Sequence, residues 1–402
     1  MADVRGLTRL VGDATVGVTN IVEAVHESIV RPPWLLRTPR RGRTPGVTGF
    51  VYRCVRTATR LAGEGVDAVL RALTPAFPHG RSSPERETLL AILNGVLGDH
   101  LVASGNPLAI AMSLRSAGMP VQLSTAALTR AFPEATGQVL VLAHGLCMND
   151  LQWAREGHDH GAALARDLGY TPLYLHYNTG RHISTNGREF AEMLETLVRE
   201  WPRRIERLAI IGHSMGGLVA RSACSHARLA RHDWIDRLGD LVFLGTPHFG
   251  ASLERAGVWA DFLIGISRYS APFARIGKLR SAGIKDLGHA RLCDEDWQEP
   301  GATHARALPT SVSLPAGVRC YAVAGSRQRS IDSRRLARGD GLVAVNGALG
   351  MNPDADRALA MPQAHRFVAY RTGHFDLLSS LHVYAQIRTW LAQGPRPVRV
   401  SR

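Results

Sequence analysis

The sequence has almost no lysine: only Lys278 and Lys285 are lysines, so arginine carries most of the net charge of +14. Cysteine is also scarce, with five scattered residues and no C-x-x-C pair, which argues against a disulfide framework. No run of about 20 apolar residues occurs, so we expect no transmembrane helix. The first residues lack an apolar signal region, and we therefore expect a cytoplasmic protein.

Acidic residues are missing from one basic stretch near the N-terminus. Residues 28–62 contain eight arginines and no aspartate or glutamate. Such a stretch favours peripheral contact with an anionic membrane, although a general arginine bias of the source would produce the same composition. No nucleic-acid motif accompanies the arginines, and we predict no nucleic-acid partner. The sequence leaves the oligomeric state open.

Short apolar stretches alternate with helical patterns from residue 138 onwards. This alternation predicts an α/β fold, with a mainly parallel sheet covered by helices on both faces. The predicted strands are 138–142, 172–177, 208–211, 240–245, 318–324 and 366–371, preceded by a hairpin of 110–115 and 121–124. The predicted helices of this part are 150–168, 187–201, one following Ser214, and 377–392.

The remaining segments suggest additions to this core. Residues 1–105 read as a helical extension, with helices at 4–30, 50–73 and 85–103 and an arginine-rich linker. Residues 106–392 form the predicted catalytic domain, and 393–402 a basic tail. Within that domain the alternation stops at 251–315, which we interpret as a cap, or lid, above the carboxyl ends of the strands. Its apolar residues Trp259, Phe262 and Leu263 are the predicted acyl-binding residues.

The strongest chemical signal is the pentapeptide Gly212-His213-Ser214-Met215-Gly216, a G-x-S-x-G. It follows the apolar run 208–211 and precedes a helical pattern. A sharp strand-to-helix turn of this kind presents the serine hydroxyl above the sheet. We therefore predict Ser214 as a nucleophile, and the backbone N–H of Met215, at the helix start, as one donor to an oxyanion.

A serine nucleophile needs a base and an acid that orients the base. His374 follows the last predicted strand and is the candidate base, whereas His365 precedes that strand and lies at the wrong end. Asp340, in a glycine-flanked loop after strand 318–324, is the candidate acid, with Asp332 as an alternative. His213 is interpreted as structural.

The remaining site predictions concern the oxyanion and metals. The loop after strand 138–142 contains His144-Gly145-Leu146, and the Leu146 N–H is the predicted second oxyanion donor. Cys147 has no base paired with it and is read as a wall residue. His158 and His160 lack further ligands at a regular spacing, so we predict no metal and no cofactor.

Taken together, these motifs resemble the lipase and esterase branch of the α/β-hydrolase superfamily. The likeness rests on LVLAHGL at 140–146, GHSMGG at 212–217, FLGTPHFG at 243–250, GDGLV at 339–343 and GHFDLL at 373–378. It is greatest for the group that includes bacterial triacylglycerol lipases and enzymes similar to GPI inositol-deacylase. The resemblance implies a Ser214, Asp340, His374 triad. Some lipases of this group bind calcium through an aspartate matching Asp376, but no second ligand is evident in this sequence.

The expected function is hydrolysis of carboxylic esters, with lipid-like or apolar acyl groups, through an acyl-enzyme. Acyltransferase, thioesterase and amidase activities would use the same three residues, so they stay open alternatives. A different class of function also stays open, namely a scaffold that works through its N-terminal helices.

Overall fold

A computed structural model describes residues 84–250, 281–298, 310–329 and 339–394 of the 402-residue chain. By internal contacts the chain divides into two units, residues 1–82 with 101–109 and residues 83–100 with 110–402. The predicted helices at 4–30 and 50–73 and most of the cap lie outside the described residues. The domain boundary at 105/106 and the role of the extension remain predictions. Within the described part, no helix is long and apolar enough to cross a bilayer.

The second unit is organised around one eight-stranded sheet with the strand order β2-β1-β4-β3-β5-β6-β7-β8. The strands are β1 (Ser113–Ser116), β2 (Met119–Pro120), β3 (Gln138–Ala143), β4 (Thr171–His176), β5 (Arg207–His213), β6 (Leu238–Leu244), β7 (Arg319–Ser326) and β8 (Arg366–Tyr370). Strands β3 to β8 are parallel, and β1 pairs antiparallel with both β4 and β2. The predicted mainly parallel sheet is confirmed.

Helices and short 3₁₀ turns connect these strands. The α-helices are α1 (Pro84–Ala103), α2 (Thr125–Ala131), α3 (His160–Leu168), α4 (Ile183–Glu200), α5 (Met215–Ala230), α6 (Trp234–Arg237), α7 (Ala282–His289), α8 (Glu295–Gln298), α9 (Val345–Ala348) and α10 (Leu381–Ala392). The 3₁₀ turns are Asp150–Trp153, Gln363–His365 and Asp376–Leu378.

Alternation along the strands divides the core between the two faces of the sheet. Val139 and Val141 of β3 belong to the apolar cluster that includes residues of α4 and α5. Leu140 and Leu142 belong to a second cluster, with residues of α3 and α10. All four side chains are fully buried. Successive residues of a strand point to opposite faces, so a continuous apolar strand requires a helical layer on each side.

Several predicted elements have different bounds from those in the structure; the helix predicted at 187–201, for example, is Ile183–Glu200, and the strand predicted at 110–115 is Ser113–Ser116. The predicted helix 150–168 is wrong: positive φ angles at Glu156 (52°) and Gly157 (76°) interrupt it. The α-helix begins only after Asp159, whose side chain accepts the N–H of Ala162. Similarly, Ser380 caps α10, so the final helix starts at Leu381 and not at 377.

The hairpin is shorter than predicted. Its second strand is Met119–Pro120, reached through a turn with positive φ at Ala117 (48°) and Gly118 (75°). Residues 121–124, predicted as a strand, are not one. Ser124 instead caps α2, with its side-chain oxygen accepting the N–H of Ala127. The capping side chain competes with strand pairing and ends the hairpin.

Candidate active site

The predicted site residues converge at the carboxyl edge of the parallel strands. Ser214 directly follows β5, His144 follows β3, and Gly245 follows β6. Asp340 and His374 lie in the segments that come after β7 and β8. Parallel neighbours end at the same edge, so residues far apart in the chain meet there.

The turn at Ser214 has the strained backbone expected of a strand-to-helix elbow. Ser214 has φ 53° and ψ −121°, outside the regions that non-glycine residues normally occupy. Its N–H donates to the Leu244 carbonyl at 2.8 Å, which holds the turn against β6. A Cβ placed on Gly216 would lie 2.2 Å from the Ala143 carbonyl oxygen. The elbow therefore requires glycine at this position.

Both predicted oxyanion donors lie beside this elbow. Met215 is the first residue of α5, so its N–H has no partner within the helix. Leu146 lies in a turn closed by a 3.3 Å bond from the Met148 N–H to the Gly145 carbonyl. A Cβ on Gly145 would lie 3.1 Å from the Ser214 Cβ, so this turn packs directly against the nucleophile. The oxyanion role of the two N–H groups stays a prediction.

Asp340 and His374 form a buried hydrogen-bonded pair. The His374 Nδ1 lies 2.7 Å from the Asp340 Oδ2, and both residues are buried. The other carboxylate oxygen accepts the N–H groups of Leu342 and Val343 at 2.9 and 2.8 Å. These contacts fix the carboxylate, and the carboxylate in turn fixes the imidazole ring. The imidazole–carboxylate contact was expected from the order of motifs; the pairing of His374 with Ser214 stays a prediction.

His213 contributes more to this site than the sequence indicated. Its Nε2 lies 3.0 Å from the His374 carbonyl oxygen, and the two ring centroids are 4.6 Å apart. Burial and the nearby His374 hold the pKa of His213 well below its ordinary value, so its ring is neutral and donates through Nε2. It therefore positions the backbone of the candidate base. Nothing in the sequence except its place in the elbow indicated this contact.

The loop that carries Leu146 has its own buried supports. The Tyr177 hydroxyl donates to the His144 carbonyl at 2.8 Å, and the two rings stack with centroids 4.5 Å apart. The Cys147 N–H donates to the Thr179 hydroxyl at 3.1 Å. Burial raises the pKa of the Cys147 thiol, which therefore stays a protonated, unreactive group. This agrees with its interpretation as a wall residue.

Two other candidate residues, His365 and Asp376, have structural contacts. His365 precedes β8 and lies 3.0 Å from the Cys320 carbonyl through Nδ1, away from the carboxyl edge. The Asp376 carboxylate accepts the Gly373 N–H at 2.8 Å at the start of a 3₁₀ turn. No group of three or more metal-ligating side chains occurs among the described residues. Trp259, Phe262, Leu263 and Asp332 lie outside them.

The strand order, the strand-to-helix serine turn and the order Ser, Asp, His along the chain define the α/β-hydrolase fold. Residues 134–280, which contain the elbow, match the model of the family described as "PGAP1-like alpha/beta domain". The chain thus has the α/β-hydrolase fold, and the part of it that carries the elbow is similar to this family. A search of curated proteins found no match.

Solved structures with similar coordinates include three hydrolases of low sequence identity. The mature lipase BlEst2 of Bacillus licheniformis is 18% identical and aligns over 63% of this chain and 91% of its own, with a TM-score of 0.41. An esterase from Thermogutta terrifontis is 17% identical and aligns over 64% of this chain and 90% of its own, with a TM-score of 0.37. The NocB thioesterase domain is 22% identical and aligns over 64% of this chain and 96% of its own, with a TM-score of 0.37.

Proposed function

We propose that the protein is a serine hydrolase that cleaves carboxylic esters. The supporting observation is the combination of a strained Ser214 after β5 with a buried His374–Asp340 hydrogen bond at the same sheet edge. Neither feature is needed to stabilise an ordinary strand–helix connection, whereas together they are what nucleophilic catalysis by a serine requires.

In the proposed mechanism, His374 accepts the Ser214 proton while the serine oxygen attacks the ester carbonyl carbon. The N–H groups of Met215 and Leu146 bind the resulting oxyanion. Collapse of the tetrahedral intermediate expels the alcohol, which takes the proton from His374 and leaves an acyl-enzyme. His374 then takes a proton from a water molecule whose oxygen attacks the acyl carbon. When the bond from that carbon to the Ser214 oxygen breaks, His374 returns the proton to Ser214 and the acid is released. Asp340 keeps the imidazole oriented and stabilises its protonated form throughout.

We further propose that the acyl group is apolar. The support is compositional: residues 251–280, inserted after β6, contain Trp259, Phe262 and Leu263 among several other apolar residues. An insertion at this position follows the strand end beside Asp340 and His374, and apolar side chains favour a hydrocarbon chain over a charged substrate. The same argument disfavours small polar acyl groups.

The test combines active-site labelling with hydrolysis assays on the full chain. A fluorophosphonate probe should label the wild type at Ser214, and p-nitrophenyl esters should be hydrolysed faster as the acyl chain lengthens from acetate. Ser214→Ala should lose labelling and at least about 10³-fold in kcat. Ser225→Ala, on the same helix α5, is the matched control and should behave as wild type.

Unlabelled wild-type protein with no ester hydrolysis would exclude the proposed activity and favour the scaffold alternative. A parallel panel of thioester and amide substrates distinguishes esterase from thioesterase and amidase activity. Equal hydrolysis of acetyl and long acyl esters would contradict the apolar acyl preference while leaving the serine chemistry intact.

A further inference from the structure

A polar cavity lies beside α5, at the ends of the insertion between β6 and β7. We call it the Arg221 cavity. It has a volume of about 40 Å³, and its polar lining side chains are Arg221, His248, His289, Thr310, Ser311 and Arg357. Among the described residues, no aspartate or glutamate lines it. A cavity lined by cationic groups and hydroxyls, without acids, favours an anion.

Arg221 is a buried cation without an acidic partner among the described residues. It is 4% exposed, and its guanidinium donates to two backbone carbonyls, those of His248 and Val312. Its Nε has no hydrogen-bond partner in the described part of the chain. Burial lowers the pKa of Arg221 to about 10, so the group still carries its charge at pH 7. Burying an uncompensated charge is costly, and an anion beside it would offset that cost.

His248, which also lines the cavity, has a second donor without an acceptor among the described residues. Its Nδ1 lies 3.3 Å from the Arg221 Nη1, and a guanidinium can only donate, so Nδ1 must accept. Burial and Arg221 hold the pKa of His248 well below its ordinary value, so the ring is neutral. Its single proton is therefore on Nε2, which is buried and lacks an acceptor among the described residues.

We propose that the Arg221 cavity binds a small oxyanion, a phosphate or carboxylate group, which the Arg221 guanidinium attracts and to which His248 can donate. The volume suits this ligand, because one water needs about 10–15 Å³ of such space and the cavity therefore holds about three waters or one small oxyanion. Arg221 already joins the carbonyls of His248 and Val312, which flank the insertion. A bound anion would thus strengthen the attachment of both ends of the insertion to α5.

The test is anion-dependent stability of the full chain at constant ionic strength, with chloride as the background anion. Phosphate, acetate and glycerol 3-phosphate are titrated separately while the thermal midpoint is recorded. We expect a saturable rise of a few degrees with phosphate or acetate, because a ligand that binds only the folded state stabilises it. A similar rise in the thermal midpoint with glycerol 3-phosphate would indicate that the site accepts a phosphate group carried by a larger molecule. If the midpoint rises with phosphate but not with glycerol 3-phosphate, the ligand is the free ion.

Two variants make the result specific to this cavity. Arg221→Met should weaken the apparent affinity at least about tenfold, since a charge-assisted contact is lost. Arg228→Met is the matched control, because Arg228 is on the same helix with an exposed bond to the Ala316 carbonyl, and it should respond as wild type. No saturable shift in the wild type, or the same shift in Arg221→Met as in the control, would overturn the proposal.

Ser311→Asp covers the case in which Arg221→Met does not fold. Ser311 is exposed at the rim, and an aspartate there offers its own carboxylate to the cavity. We expect a higher thermal midpoint without added anion and little further rise with phosphate. A phosphate response equal to that of the wild type would also overturn the proposal.

Discussion

At the residue scale, the carboxylate of Asp340 has two tasks, divided between its two oxygens. Oδ1 accepts the N–H groups of Leu342 and Val343, and Oδ2 contacts the His374 ring. A neutral amide could keep the first set of contacts but would not stabilise a protonated imidazole. A single substitution at Asp340 can therefore remove the charge beside His374 while keeping the bonds to the Leu342 and Val343 N–H groups.

Asp340→Asn should fold normally and lower kcat toward a short acyl ester by about 10³–10⁴-fold, with KM within a few-fold of wild type. The physical reason is the loss of the charge and of the correct imidazole tautomer. The measurement is steady-state hydrolysis, with circular dichroism as the check on folding.

The matched control for this substitution is Asp376→Asn. The Asp376 carboxylate accepts a hydrogen bond from the Gly373 backbone N–H. The side-chain oxygen of an asparagine can accept the same bond. We expect its kcat to stay within about tenfold of wild type. If Asp340→Asn were no slower than this control, Asp340 would not be the acid.

At the element scale, the β5–turn–α5 unit depends on close approach between backbones. Position 216 lies against the end of β3, where the carbonyls of Ala143 and His144 would be 2.2 and 2.6 Å from an added Cβ. Both neighbours are backbone atoms of buried elements and cannot rotate away. The glycine is thus required by packing as well as by the shape of the turn.

Gly216→Ala should destabilise the protein by about 3 kcal/mol, since the overpacking has to be relieved by moving β3 or α5. Chemical unfolding followed by fluorescence measures the change. Gly347→Ala in α9 is the control: an added Cβ there meets nothing within 4 Å, so stability should be unchanged or rise by up to about 1 kcal/mol. Equal midpoints for the two variants would show that the elbow can relax.

The element scale also shows where sequence reasoning succeeded and failed. The strand β3 was predicted to within a residue at its end, because buried parallel strands are short, wholly apolar runs. The helix predicted from 150 failed because Gly157 and the Asp159 cap interrupt an otherwise helical pattern. The glycine and the capping aspartate are visible in the sequence, but the prediction gave more weight to the helical spacing of the apolar residues.

At the scale of the whole molecule, several buried histidines are kept neutral by folding. Burial lowers the pKa of His144 to about 3 and that of His160 to about 4. In the unfolded chain both titrate near 6.5. Below that pH the unfolded state therefore binds more protons than the folded state does. The contribution of the two histidines to the free energy of unfolding is complete above about pH 6.5 and is lost as the pH falls towards their folded-state pKa values.

The free energy of unfolding should fall between pH 7 and pH 5 by about 2 kcal/mol for each of these two histidines. Urea unfolding across this range measures the slope. His160→Gln removes one titrating group, and its side-chain amide can still donate to the Leu377 carbonyl, which lies 2.9 Å from the His160 Nε2. Between pH 7 and pH 5 the free energy of unfolding of this variant should therefore fall by about 2 kcal/mol less than that of the wild type; an equal fall would contradict the assignment.

The sequence by itself determined the order of strands and helices, the serine at a strand-to-helix turn and the candidate acid and base. These follow from local patterns: apolar runs, glycines at a tight turn and polar residues just after strands. Only the tertiary structure decided that His213 donates to the backbone of His374 and that Arg221 is buried without an acid beside it in the described part of the chain. Both facts depend on which distant segments pack together. Local sequence patterns do not indicate which residues become buried or which hydrogen-bond partners they meet across the sheet.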